Sequence, residues 1–73
     1  MNVGMLWYDN SKDDLAEKIK RAAQHYRDKY GAPADLVFVN PKMLNGPVEA
    51  TGIEVRTSTT ILPNHLWMGR DKH

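Results

Sequence analysis

The sequence predicts a two-layer α+β fold: one amphipathic helix packed on a small mixed sheet, in the order β-α-β-β with a short last strand to follow. Three patterns predict it. Apolar residues recur at three- and four-residue intervals within residues 12–30, as a half-buried helix requires. Leu36-Val37-Phe38-Val39 is apolar without a break, which suits a strand buried on both faces. Residues 53–58 alternate between apolar and polar, the pattern of a strand with one dry face and one wet face.

Taken in order, residues 3–8 (Val-Gly-Met-Leu-Trp-Tyr) are expected to form a first strand that stops at Asp9-Asn10. Ser11 is placed to cap the helix, with Asp14 completing a capping-box spacing. Asp13 and Asp14 put negative charge at the positive end of the helix dipole. Leu15, Ile19, Ala22, Ala23, Tyr26 and Tyr30 make the apolar stripe, and Lys12, Glu17, Lys20, Arg21, Gln24, Arg27 and Asp28 lie opposite. Asp14–Lys18 and Glu17–Arg21 are acid-before-base pairs four apart, a favourable helical spacing. Gly31 suits the left-handed residue past the helix end, and Pro33 prevents continuation.

Residues 35–40 then form a central strand, and residues 41–52, with Asn45-Gly46-Pro47 and Thr51-Gly52, a loop with turns. In the strand at 53–58, Ile53, Val55 and Thr57 should face inward. Pro63 keeps residues 59–64 irregular, and residues 65–68 supply the last short strand. If the first two strands are neighbours, a right-handed crossover makes them parallel, and later strands are expected to add antiparallel. The expected organisation is a single domain over residues 1–69 and a frayed charged tail at 70–73.

Composition narrows the function classes. A chain of 73 residues has room for one domain. A domain this small buries only about 60% of the surface its unfolded chain exposes, so its stability margin is thin. With no cysteine, disulfides and thiolate zinc sites are excluded. His25, His65 and His73 lack the short spacing of a metal site, and the glycines form no phosphate-binding loop, so no cofactor is expected. The net charge of +1 is less lopsided than that of dedicated nucleic-acid or anionic-membrane binders. No stretch approaches the roughly 20 apolar residues of a membrane span, and the apolar start is too short for a signal-peptide core. A cytoplasmic location is the expectation.

One feature of the strands bears on function. Leu36 and Phe38 lie on one face of the second strand and Val37 and Val39 on the other; in the first strand, Met5 and Trp7 lie opposite Leu6 and Tyr8. Both faces are apolar, and there is one helix to cover them. Either the 41–52 loop and the C-terminal stretch fold over the second face, or a second polypeptide does. The leading expectation is therefore a non-enzymatic interaction or self-assembly protein, a homodimer or a complex with a protein partner, that uses the sheet face opposite the helix. Met5, Trp7, Val37, Val39, Met43 and Trp67 are the candidate interface residues.

Two alternatives follow from charged residues. Lys12, Lys20, Arg21 and Arg27, with Lys42, Arg56, Arg70 and Lys72, could present a basic face to nucleic acid, although Glu17 and Asp28 interrupt it. Asp9 and Asp35 could serve a Mg²⁺-dependent enzyme, Asp9 lying at the C-terminal end of the first strand, where parallel α/β sheets place their ligands. Asp35 with Glu54-Val55-Arg56 resembles the acidic signature of restriction-type nucleases, but Arg56 stands where that signature has lysine and cannot readily give up a proton. The order of a long helix, Asp35-Leu36-Val37-Phe38-Val39-Asn40-Pro41, Gly52-Ile53-Glu54-Val55, Leu62-Pro63 and Trp67-Met68-Gly69 is similar to part of tailed-phage major capsid proteins and encapsulins. That resemblance adds a little weight to an assembly role, and no function or residue role is carried over from it.

Overall fold

The structure is a computed structural model that describes residues 4–44, 46, 48, 50 and 52–70. Strands β1 (Gly4–Tyr8), β2 (Leu36–Val39), β3 (Glu54–Thr57) and β4 (His65–Gly69) form one mixed sheet, and helix α1 (Leu15–Tyr30) packs on one face of it. The α+β class and the element order follow the sequence expectation.

Helix α1 starts three residues later than Ser11 capping would place it. Asp14 is the N-cap, its carboxylate accepting the Glu17 N–H at 2.9 Å. Ser11 is engaged elsewhere, its N–H donating to Asp9 Oδ1 at 2.9 Å. At the other end Gly31 has φ +72°, and its N–H donates to the Arg27 carbonyl, the left-handed cap expected there. Leu15, Ile19, Ala22 and Tyr26 are buried as the stripe predicts, whereas Ala23 is half-buried and Tyr30 exposed. Lys18 joins the buried set, and its methylene stem supplies the packing. Arg21 pairs with neither Glu17 nor any other acid of the helix; it reaches back to Asp9 and Asp13.

Strand order is where structure and expectation part. The order is β1-β4-β2-β3, so β1 and β2 are not neighbours: β4 lies between them, antiparallel to both. β3 joins the far side of β2 in parallel, not antiparallel, register, Leu36 opposite Glu54 and Val39 opposite Thr57. The reason lies in side chains. β4 has buried Leu66 and Met68 on one face and Trp67 on the other, so it needs neighbours on both edges. β3 carries exposed Glu54 and Arg56 and is best solvated at an edge.

Beneath α1 the sheet contributes Met5, Val37, Val39, Leu66 and Met68 to a single hydrophobic cluster with Leu15, Ile19, Ala22, Tyr26 and Ala34. The segment after β2 begins with a 3-10 turn at Pro41–Met43. Asn40 caps it, accepting the Lys42 N–H at 2.8 Å and donating to the Ile61 carbonyl at 2.8 Å. Leu44, Val48 and Ala50 then pack against the same cluster, on the helix side of the sheet. Among the described residues no helix is long and apolar enough to cross a membrane. The expected tail at 70–73 lies, past Arg70, outside the described residues.

Candidate interaction surface

Alternation along the strands sends Leu6, Tyr8, Leu36, Phe38, His65 and Trp67 to the face away from α1. Cross-strand register aligns them in rows. Leu6 lies opposite Trp67, Trp67 opposite Phe38, and Phe38 opposite Arg56; Tyr8 lies opposite His65. The Phe38 and Trp67 ring centroids are 5.8 Å apart and those of Tyr8 and His65 4.9 Å, tilted pairs of the kind aromatic quadrupoles favour. Gly4 has no side chain to compete for space, and the Trp67 indole lies over it.

Exposure on this face is graded. Leu36 on β2 is 5% exposed, Phe38 and Trp67 are half-buried, and on β1 Leu6 is 63% and Tyr8 56% exposed. The exposed apolar side chains of the face are therefore at its β1 side, whereas the exposed residues at the β3 side are charged. At the opposite side of the sheet Arg56 and Glu54 form an ion pair with each other.

The candidate interface residues fall mostly elsewhere. Met5, Val37 and Val39 are buried under α1, and Trp7 is half-buried on the same side, its ring 4.4 Å from that of His25. Met43 sits half-buried in the 3-10 turn, beside Asp13, Asp14 and Lys18 at the start of the helix. Trp67 alone of the six belongs to the face opposite the helix. The division of each strand into two apolar faces holds, but the helix covers the set expected to be open. Leu6 and Tyr8 were visible in the sequence as the other half of that division. What the alternation lacks is a label saying which half meets the helix.

The charged candidates also separate. The Asp9 N–H donates to the Asn64 carbonyl and the Asp35 N–H to the Gly69 carbonyl. These anchor points are five residues apart along β4, roughly 17 Å at strand rise, so the two carboxylates cannot share one ion. Asp9 is held by Ser11 and Arg21, with Arg21 Nη1 at 2.7 Å; Arg21 Nη2 is 2.5 Å from Asp13. Hydrogen bonds from Ser11, then the Arg21 charge, outweigh desolvation and hold the Asp9 carboxyl below its ordinary value of 3.8. Asp35 and Glu54 lie on opposite faces of adjacent strands, since Glu54 is opposite Leu36. That removes the shared site a nuclease signature needs. No group of three or more potential metal ligands occurs among the described residues.

A cleft of about 500 Å³ opens where α1 leaves the β3 side of the sheet uncovered, with Ile19, Ala23, Ala34 and Ile53 as its floor and Glu17, Lys20 and Arg27 along its rim. Its rim mixes both signs of charge. No protein-family model, no curated protein and no solved structure matches the chain.

Proposed function

We propose that this chain is a non-enzymatic, cytoplasmic self-assembly module that joins a second copy through the sheet face opposite its helix. The observation that carries this reading is the exposure of Leu6 and Tyr8 beside half-buried Phe38, His65 and Trp67, while Leu44, Val48 and Ala50 pack on the other side. Among the described residues both ways of covering that face from within the chain draw little support: Leu44, Val48 and Ala50 lie with the helix, and His65–Gly69 is itself a strand of the sheet. The face is also close to neutral, because Glu54 and Arg56 pair with each other. A partner should therefore be apolar and uncharged, and a second copy offers such a surface by construction.

A nucleic-acid partner on the helix face has less support. Arg21, at the middle of that face, is engaged by two carboxylates, and Gln24 bonds to Asp28 at 3.0 Å. The Mg²⁺ reading loses its basis with the separation of Asp9 from Asp35.

Sedimentation equilibrium over a wide micromolar range tests the proposal. The expected result is concentration-dependent dimerisation that Leu6→Lys weakens by at least about tenfold, since it sets a charge on the most exposed apolar strand position of that face. A wild-type chain that stays monomeric at every concentration overturns it.

A further inference from the structure

We infer that the second copy is joined edge to edge, β1 against β1 in antiparallel register about a two-fold axis at Leu6, giving one continuous eight-stranded sheet. This rests on the self-assembly reading alone and places the contact at the β1 edge of that face instead of across the face itself.

The hydrogen-bond phase of β1 points to it. The Asp9–Asn64 bond at 2.9 Å belongs to the same ladder as the β1–β4 register. It makes Trp7–Leu66 and Met5–Met68 the bonded pairs, because bonded and non-bonded pairs alternate. Gly4, Leu6 and Tyr8 are then the residues whose backbone N–H and C=O groups point out of the sheet. They are also the residues whose positions lie on the open face. Tyr30 Oη donates to the Gly4 carbonyl at 3.3 Å, leaving that oxygen a second lone pair. Among the described residues nothing else bonds the outward groups of Leu6 and Tyr8.

The two edges of the sheet are unlike. β3 carries exposed Glu54 and Arg56, side chains of the kind that keep an edge from pairing. β1 (Gly-Met-Leu-Trp-Tyr) has no charge and no proline. Apolar exposure on the open face is also concentrated at β1, with Leu36 at 5% and Leu6 at 63%.

A two-fold axis at Leu6 uses every outward group. Leu6 N–H and C=O exchange bonds with Leu6 of the second copy, and Tyr8 exchanges bonds with Gly4. The same register sets the Tyr8 side chain directly across from the opposing Gly4, alongside the Trp67 indole that fills the space over that glycine. No one-residue shift achieves this, because it would set inward-bonded residues against outward ones. With five residues per strand the contact is small and belongs to the weak, transient class of interface.

Leu6→Pro is the decisive variant. The Leu6 N–H is outside the ladder to β4, so proline is tolerated at this edge position, yet it removes the central bond of the seam. Leu6→Ala keeps the N–H and Phe38→Lys alters the face two strands away from the seam. Sedimentation equilibrium should show at least about a tenfold loss of dimer affinity for Leu6→Pro, a smaller loss for Leu6→Ala and little change for Phe38→Lys. The chain has no cysteine, so single-cysteine variants provide a second readout that does not depend on proline being tolerated. Across a bonded antiparallel pair the Cα atoms are about 5.5 Å apart, inside disulfide range. Under mild oxidation Leu6→Cys should link dimers, and Thr57→Cys on β3 should not. A folded Leu6→Pro variant that dimerises like wild type, or equal linking by the two cysteine variants, overturns the edge-paired mode. If Phe38→Lys abolishes association and Leu6→Pro does not, the copies meet face to face: self-assembly then stands and edge pairing falls. A monomeric wild-type chain removes both.

Discussion

Gly4→Ala reads directly on how the open face is built. A Cβ at this position would overlap Cζ2 and Cε2 of Trp67 and lie 2.6 Å from its Nε1. The backbone at Gly4 does not need positive φ, so the cost is one of space. Trp67 lies on an open face and can relieve the overlap only by swinging its ring outwards. If that uncovers about 50 Å² of apolar surface, the loss is about 1.2 kcal/mol. Breaking the Phe38–Trp67 ring pair, 5.8 Å between centroids, removes about 0.5–1.5 kcal/mol more. Replacing glycine within a strand returns about 0.5–1 kcal/mol. The net destabilisation is about 1–2 kcal/mol, which in a domain of this size lowers Tm by roughly 5–15 °C. Thermal unfolding followed by circular dichroism measures it. In a Trp7→Phe background, where Trp67 is the remaining tryptophan, its fluorescence should shift to the red. With Trp67→Leu present, Gly4→Ala should become neutral or stabilising, since the two effects are coupled. An alanine variant as stable as wild type with unchanged Trp67 emission would refute the packing described here.

Four further outcomes are expected. Asp14→Ala removes the side-chain acceptor of the Glu17 N–H and should cost about 1 kcal/mol, and Gly31→Ala, forced to φ +72°, about 1–2 kcal/mol; denaturant titration measures both. Lys18 is 5% exposed, so Lys18→Ala should destabilise by about 1–2 kcal/mol through lost stem packing while Lys18→Met stays within about 0.5 kcal/mol of wild type, which chemical unfolding can separate. Asp9 has a folded-state pKa below its ordinary 3.8, so its contribution to stability is present above that pH and is lost as pH falls through the folded value; Asp9→Asn should flatten the acid limb of Tm against pH below about 4.

Much of the fold was legible because its signals are local. The α1 stripe, the Gly31 cap and the unbroken apolar run of β2 each depend on residues within a few positions of one another. The N-cap misplacement shows where local signals compete: Ser11 and Asp14 are both able caps, and Asp14 takes the role, its carboxylate accepting the Glu17 N–H. β4 was the faintest strand, five residues beside a charged end, and it proves to be the one that organises the sheet.

The sequence by itself determined which residues form the helix and strands, and that each strand has two unlike rows of side chains. Periodicities of 3.6 and 2 carry that information along the chain. Only the tertiary structure decided that β4 separates β1 from β2, that β3 runs parallel at an edge, and that the helix covers Met5, Val37 and Val39 while leaving Leu6 and Tyr8 open. An alternating strand looks the same to local physics whichever row is buried. The choice is made by contacts between residues as distant as Met5 and Met68, whose pairing depends on how all the apolar rows fit together around a single helix.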